Sequence, residues 1–163
     1  MATTNAVSRV ELPELPIEGG CECGSLRYRI TAAPLTFYLC HCTTCQKQSG
    51  SAFGASLHVP AEGITLEGPS TTYSHLGGSG RTLDAVFCPS CGDRLTHQVQ
   101  GGAAIVVKPG TLDDRSWLMP AGHVFTASRQ PWVSLPDDGT LLFEGAPDLP
   151  ALRARWSEMV GRP

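Results

Sequence analysis

Seven cysteines in three tight clusters constrain this chain more than any other feature of its sequence. The clusters contain, in order, Cys21 and Cys23; Cys40, Cys42 and Cys45; and Cys88 and Cys91. A structural zinc ion takes four thiolate or imidazole ligands, whereas a catalytic zinc ion keeps one of its positions open. The two outer pairs supply four ligands for one closed site, and the middle cluster supplies three for an open site. This partition predicts two Zn²⁺ ions per chain and favours an enzyme.

Composition predicts one folded domain and excludes a nucleic-acid partner. The chain has 163 residues, of which 41% are hydrophobic and only 17% are charged, so it can bury a core and does not resemble a disordered chain. Its formal net charge is −3, and thiolates bound to zinc would make it more negative. A domain that is acidic and has no basic run is a poor ligand for nucleic acid.

The cysteine pattern also indicates a reducing compartment. The first twenty residues contain no continuous apolar segment of the kind found in secretory signals, and no apolar run reaches the length of a membrane span. An odd number of cysteines at metal-binding spacings favours bound metal over disulfides. We therefore expect a cytoplasmic protein without a membrane partner.

Hydrophobic patterning predicts a mainly β chain. Residues 1–18 contain Pro13 and Pro16 and are expected to form a flexible or loosely docked extension. Residues 19–163 are then expected to form a single domain. Short alternating or β-branched segments predict its strands, at 25–30, 35–39, 53–59, 63–66, 71–74, 81–87, 95–99, 103–107, 123–126 and 141–143.

Two helices complete this prediction. Residues 43–49 are expected to form a short turn or helix after the middle cluster. Near the end of the chain, Asp148 can cap a helix that begins at about residue 148. Its apolar face would contain Leu149, Leu152, Trp156 and Met159 or Val160.

The outer cysteines have the spacing of a closed structural site. Cys88 and Cys91 are separated by two residues and Gly92 follows them, as in a zinc knuckle that joins two strands. Cys21 and Cys23 would supply the other two ligands. The alternative is that Cys88 and Cys91 are free, buried thiols.

The middle cluster is suited to sulfur chemistry. Three thiolates weaken zinc as a Lewis acid, and hydrolytic zinc sites use histidine and carboxylate ligands more often. A site of three thiolates can instead hold an incoming thiol as its nucleophilic thiolate. One alternative is a second structural zinc ion whose fourth ligand is a histidine: His41, His58, His75, His97 or His123. Another is a redox switch between two of the thiols.

Several motifs in the right order resemble the glutathione-dependent formaldehyde-activating enzyme family, which also includes a vertebrate centromere protein. The resemblance extends over residues 17–145. The matching segments are 20–24, with both first-cluster cysteines; 40–45 continuing into 49–53; 87–92, with the last pair; 108–114; Trp132; and 143–145.

The resemblance implies a tent-like, antiparallel β fold built around zinc sites. It implies the same partition of ligands, with a structural ion on the outer pairs and a catalytic ion on Cys40, Cys42 and Cys45. The implied activity is that of a carbon–sulfur lyase, in which glutathione and formaldehyde form S-hydroxymethylglutathione. The residue after Cys45 is commonly basic in the family but is Gln46 here, which weakens the expected contact with a glutathione carboxylate.

The residues after the middle cluster are the candidates for substrate binding. They are Gln46, Ser49, Gly50, Ser51 and Phe53. Backbone N–H groups at residues 49–51 could form an anion-binding concavity or an ordinary turn.

Other polar and aromatic residues are weaker candidates. Phe53 and Trp132 could line a pocket, although aromatic residues lie more often in a core. His58 and His123 could transfer protons, but each is expected to be structural or exposed. Asp113 and Asp114 are expected in a turn.

Taken together, these patterns predict a zinc-dependent enzyme that joins or separates a small thiol and a small electrophile such as an aldehyde. The alternative is a non-catalytic zinc module that carries a thiol or binds a partner protein, because one fold serves different functions. A zinc ribbon that binds nucleic acid would fit the cysteines but not the acidic charge.

Overall fold

The computed structural model describes residues 9–77 and 80–161. These residues form mainly strands, with two α-helices, which confirms the predicted fold class and the helix near the end of the chain. They divide into two compact units. The first unit contains residues 9–12, 36–55 and 117–161, and the second contains residues 13–35 and 56–116 without the undescribed pair.

The strands and helices follow one another in short segments. The strands are β1 (Ile17–Gly20), β2 (Arg27–Ile30), β3 (Thr36–Cys40), β4 (Gly54–Pro60), β5 (Ile64–Glu67), β6 (Thr71–Leu76), β7 (Thr82–Phe87), β8 (Arg94–Val99), β9 (Ala104–Val107), β10 (Gly122–Val124) and β11 (Leu141–Leu142). The helices are α1 (Thr43–Ser49) and α2 (Leu149–Met159), and single 3₁₀ turns cover Ala61–Gly63, Pro109–Thr111 and Thr126–Ser128.

The second unit contains a small antiparallel sheet in the order β1-β2-β5. Tyr28 and Ile30 on β2 are buried, whereas Arg29 between them is exposed, which is the alternation expected of a half-buried strand. The sequence patterns predict β2 and β5 but not β1, because β1 has the sequence Ile-Glu-Gly-Gly and its two glycines weaken the pattern.

The second unit also contains antiparallel strands in the order β4-β9-β8-β7-β6. Residues 54–55 of β4 belong to the first unit, and residues 57–60 pair with β9. Leu57, Leu95 and Val107 are completely buried in this sheet. The connection between β7 and β8 carries Cys88 and Cys91, as the knuckle interpretation predicts.

The first unit contains strands that run parallel. β10 pairs with β3 on one side and with β11 on the other. This pairing makes the fold mixed rather than purely antiparallel, and strand periodicity does not encode direction. In the pairing of β3 with β10, Cys40 lies opposite Val124. Cys40 is both the last residue of β3 and the first residue of the middle cysteine cluster.

Helix α2 packs within the first unit through its apolar face. Asp148 accepts a hydrogen bond from the Ala151 N–H at 3.0 Å, which confirms the predicted cap. Leu152, Trp156 and Met159 are buried, as the helical spacing predicts. The Thr36 hydroxyl on β3 donates to the Leu152 carbonyl at 3.2 Å.

Part of the predicted extension is described. Residues 1–8 lie outside the described residues. The Val10 side chain is buried, and its N–H donates to the Met159 carbonyl at 2.9 Å. The division into an extension at 1–18 and a single domain at 19–163 stays a prediction. Neither α-helix in the described part of the chain is long and apolar enough to cross a membrane.

Candidate metal centres

The four outer cysteines meet in the second unit. The sulfur atoms of Cys21, Cys23, Cys88 and Cys91 all lie within 4.8 Å of one another. The sulfur of Cys23 is 3.5 Å from that of Cys21 and 3.7 Å from that of Cys88. Four thiolates around zinc at ~2.3 Å would be separated by about 3.8 Å in a tetrahedron. The cluster therefore fits one divalent metal ion.

Hydrogen-bond donors surround the sulfur atoms of this outer cluster. The Ser25 hydroxyl lies 3.0 Å from the Cys23 sulfur and 3.2 Å from the Cys88 sulfur. Its hydrogen bond lowers the pKa of the Cys88 thiol to about 6. The Leu26 N–H donates to the Cys21 sulfur at 3.3 Å. Such donors stabilise thiolates, which are the form of cysteine that binds metal.

The backbone of each cysteine loop turns beneath its sulfur atoms in the same way. Gly24 and Gly92, which follow the two pairs, have φ angles of +78° and +82°. This left-handed conformation suits glycine because a Cβ would crowd the backbone. Asp93 joins the loops, since its carboxylate accepts from the Glu22 N–H at 2.7 Å and its carbonyl accepts from the Cys88 N–H at 2.9 Å.

The three middle cysteines meet where β3 passes into α1, in the first unit. Their sulfur atoms lie within 4.8 Å of one another. Cys40 ends β3, Cys42 is the N-cap of α1, and Cys45 lies in the first turn of that helix. The Cys42 sulfur accepts a hydrogen bond from the Cys45 N–H at 3.3 Å. Residues 43–49 form the helix that the sequence predicts.

Crowding of the three middle thiols opposes their simultaneous ionisation. Hydrogen bonds from Cys40 and then Cys45 lower the pKa of Cys42. Hydrogen bonds involving Cys42 and Cys45, together with burial, raise the pKa of Cys40. One thiolate is thus favoured at the expense of the others. A divalent cation would allow all three to ionise, so this donor set also fits a metal ion.

Histidine does not complete the middle cluster. In the part of the chain that the structure describes, the group of metal-binding side chains at this site contains three cysteines and no histidine. The predicted alternative of a fourth histidine ligand therefore gains no support from this geometry. The candidates were His41, His58, His75, His97 and His123.

His41, between two of the cysteines, bonds instead to another histidine. Its ring is completely buried, and its Nε2 lies 2.8 Å from Nδ1 of His123. The two rings are almost parallel, with centroids 5.1 Å apart. Burial lowers the pKa of both histidines. The pair is therefore neutral near pH 7, with one ring donating to the other.

Gln46 is held by hydrogen bonds within the chain. Its amide nitrogen donates to the His41 carbonyl at 2.7 Å and to the Ser128 carbonyl at 2.9 Å. Its amide oxygen accepts from the Gln130 side chain at 2.7 Å. Because both of its N–H groups are used, these contacts indicate a positioning role, and substrate binding by Gln46 stays a prediction.

Residues 49–51 end helix α1. The Ser49 hydroxyl lies 2.7 Å from the Cys45 carbonyl and 3.1 Å from the Phe53 carbonyl. The N–H groups of Gly50 and Ser51 both donate to the Gln46 carbonyl. These N–H groups close the helix, and substrate binding by residues 49–51 stays a prediction.

The aromatic candidates differ in their surroundings. The half-buried Phe53 ring meets the His41 ring at 5.4 Å in a T-shaped contact, so Phe53 lies beside the middle cluster. Trp132 is 73% exposed, and the interpretation of this residue as part of a core is wrong. Its neighbours at 131–134 are mostly exposed, which the type of residue alone does not reveal.

The two aspartates of the predicted turn have structural partners. Asp113 forms a bidentate ion pair with Arg27. The Asp114 carboxylate accepts from the Ser116 N–H at 2.9 Å and from its hydroxyl at 2.7 Å. Both interactions agree with a structural turn.

Gly54 is a residue near the site that sequence reasoning missed. A Cβ at this position would lie 3.1 Å from the Cys45 Cβ and 3.3 Å from the Cys45 sulfur. Only its place directly after Phe53 could have drawn attention to it. Ser128 and Gln130 were also missed, because nothing in the sequence relates them to residues more than eighty positions earlier.

We expect Gly54→Val to weaken metal binding by the middle cluster about tenfold, because its added atoms displace Cys45. The matched control is Gly145→Val, since a Cβ at Gly145 has no neighbour within 4 Å. Metal content and the rate of metal release to a chelator would be measured for both. Equal release from Gly54→Val and the unchanged protein would contradict this packing.

A family comparison agrees with the residues brought together here. The family model described as "Glutathione-dependent formaldehyde-activating enzyme" matches residues 16–128, which is more than half of the chain. The matched range includes all seven cysteines and excludes α2. None of the curated proteins matches this chain.

One similar solved structure is a crystal structure of a Rhodobacter sphaeroides protein from a structural genomics programme. It is 14% identical over 78% of this chain and 99% of that chain, with a TM-score of 0.49. This likeness is too weak to inform function.

Proposed function

This chain belongs to the glutathione-dependent formaldehyde-activating enzyme family, and from this premise we propose that it is a zinc-dependent carbon–sulfur lyase. Its substrates would be a small thiol, such as glutathione, and a small aldehyde, such as formaldehyde. The observation that supports this most strongly is a group of three cysteine sulfurs with no fourth protein ligand among the described residues. A catalytic zinc site keeps such a position open for substrate.

The proposal gives the two cysteine clusters different roles. Cys40, Cys42 and Cys45 would hold the catalytic ion, which when bound stabilises a thiol as its thiolate. The outer four cysteines would hold a structural ion, making two zinc ions per chain. Their sulfur atoms already have the spacing of a closed tetrahedral site, so no position would remain for a substrate.

The proposed reaction is a reversible addition. The thiolate sulfur forms a bond to the aldehyde carbon, and the electron pair of the C=O π bond moves to oxygen. That oxygen then takes up one proton, which balances the one proton that the thiol lost. With glutathione and formaldehyde the product is S-hydroxymethylglutathione. No oxidant or reductant is needed.

The residues around the middle cluster would orient it and exclude water on one side. His41, which lies between Cys40 and Cys42 in the sequence, is fully buried. Its ring packs against Phe53 and His123. Gln46 fixes the His41 carbonyl. These contacts leave Cys42 and Cys45 only partly buried, which agrees with access for a small substrate from that side.

We also propose that the protein acts in the cytoplasm. The seven cysteines are free and form two groups that could hold metal ions, and such thiols persist in a reducing compartment. The acidic charge argues against a nucleic-acid partner.

The test is the rate at which glutathione and ¹³C-formaldehyde exchange with their adduct, measured by NMR exchange spectroscopy. Because this addition also occurs without a catalyst, we expect the exchange rate to rise in proportion to the zinc-loaded protein. Protein treated with a strong chelator is the control. Equal rates with and without protein, for glutathione and several other thiols, would refute the proposed activity.

A further inference from the structure

The segment 125–130, here called the 125–130 turn, is held within the first unit by backbone hydrogen bonds. Phe125 has a φ angle of +54°, which is uncommon for a residue other than glycine. This conformation redirects the chain directly after β10. The N–H groups of residues 125, 126 and 127 donate to the carbonyls of Gly145, Phe143 and Glu144, respectively.

The same turn forms hydrogen bonds with two residues of the segment that carries the middle cluster. The Ser128 hydroxyl donates to the His41 carbonyl at 2.9 Å, and the Ser128 carbonyl accepts from the Gln46 amide at 2.9 Å. Gln130 in turn donates to Gln46. His41 lies between two of the cysteines and Gln46 follows the third, so the backbone at residue 128 is held beside the cluster.

Arg129 therefore carries a positive charge at a fixed place near this site. It is exposed, and within residues 9–77 and 80–161 its side chain donates only to backbone carbonyls, of Val133 at 3.3 Å and Thr126 at 3.4 Å. Among the described residues, no carboxylate forms an ion pair with it.

Lys47 is the other cation close in sequence to the middle cluster, but it lies outside the face of α1 that carries Cys45. Cys42, Cys45, Gln46 and Ser49 are spaced so that they share one face of the helix. Lys47 lies about 100° around the helix from Gln46, outside that face, and it is exposed.

From this geometry we infer that Arg129 is a specificity-determining residue that favours thiols carrying a carboxylate. The inference rests on the proposed function, since it names the class of thiol that the middle cluster takes. The guanidinium would contact the substrate carboxylate while the thiol sulfur occupies the open position. An exposed or partly exposed contact of this kind changes affinity only about twofold to fivefold.

The test compares three thiols of similar size that differ in charge. They are 3-mercaptopropionate (anionic), 2-mercaptoethanol (neutral) and cysteamine (cationic), titrated by calorimetry into the zinc-loaded protein. We expect the unchanged protein to bind the anionic thiol most tightly and the cationic thiol least tightly. Arg129→Gln should reduce the preference for the anionic over the neutral thiol about twofold to fivefold, with the affinity for the neutral thiol unchanged.

Further variants separate this effect from a structural one. Arg129→Lys keeps the charge and should restore most of the preference. Lys47→Gln and Arg153→Gln remove an exposed cation elsewhere in the first unit and should leave the preference unchanged. A preference that survives in Arg129→Gln, or that Lys47→Gln abolishes, would overturn the inference and leave the proposed function standing. If the unchanged protein binds none of the three thiols, the inference and the proposed function both fail.

Discussion

Replacement of Cys88 by serine is expected to leave the protein insoluble or unfolded. Cys88 is only 1% exposed, and its sulfur lies 3.7 Å from that of Cys23. The cluster joins two parts of the chain that are 65 positions apart. In small zinc domains the free energy of metal binding is about 10–16 kcal/mol, which matches or exceeds the whole free energy of unfolding of a typical domain, about 5–15 kcal/mol.

The measurement is the soluble fraction after expression, followed by circular dichroism of any soluble protein. Ser90→Ala is the matched control, because Ser90 lies in the same loop and is exposed but is not a candidate ligand. This control should fold normally. Recovery of soluble Cys88→Ser with the circular dichroism spectrum of the unchanged protein would contradict a structural metal site at the outer cluster.

Replacement of Cys42 by serine is expected to abolish turnover while the protein stays folded. Cys42 is the N-cap of α1, where its sulfur accepts a hydrogen bond from the Cys45 N–H. Serine is among the most favourable N-cap residues, so α1 should persist. A serine hydroxyl is not a thiolate ligand, however, and the middle cluster would retain only two of its three sulfur atoms.

For Cys42→Ser we expect catalysed exchange to fall by at least about a hundredfold, with zinc content reduced by one ion per chain. The helical circular dichroism signal and the temperature of unfolding should change little. The non-catalytic alternative predicts the opposite pattern, since a second structural site would lose stability when it lost a ligand. Folded Cys42→Ser with unchanged turnover would show that the middle cluster is not the catalytic site.

Features that depend on local spacing could be predicted from the sequence. Cysteines two or three positions apart can reach one metal ion whatever the rest of the fold does. The meeting of the two outer pairs, 65 positions apart, follows instead from the four ligands that a closed zinc site takes, and the structure groups the cysteines in the predicted four and three. Helix α1 spans 43–49 as predicted. Helix α2 follows from its cap at Asp148 and its apolar spacing.

Features that depend on distant segments could not be predicted in this way. The hydrogen bonds that join Gln46 to Ser128 and Gln130 span more than eighty positions, and a glutamine or serine gives no sign of its partner. The parallel direction of β10 follows from the route of the chain and not from its periodicity. Trp132 is exposed because of its loop, although tryptophan is usually well buried.

The family resemblance predicted the ligand partition but left the role of Gln46 open. A neutral residue at this position suggests the loss of a contact with a substrate carboxylate. The structure instead shows Gln46 holding the 125–130 turn through its amide. The cation lacking at residue 46 has a counterpart in Arg129, on that turn, which only the tertiary structure brings to the same cluster.

The most direct test of two separate cysteine sites is zinc per chain, measured by elemental mass spectrometry. The protein would be purified under reducing conditions and measured before and after equilibration with excess glutathione. We expect close to two zinc ions, both retained when glutathione binds. A value close to one ion in freshly purified protein would contradict it, because the middle cluster would then lack the metal on which the proposed carbon–sulfur chemistry depends.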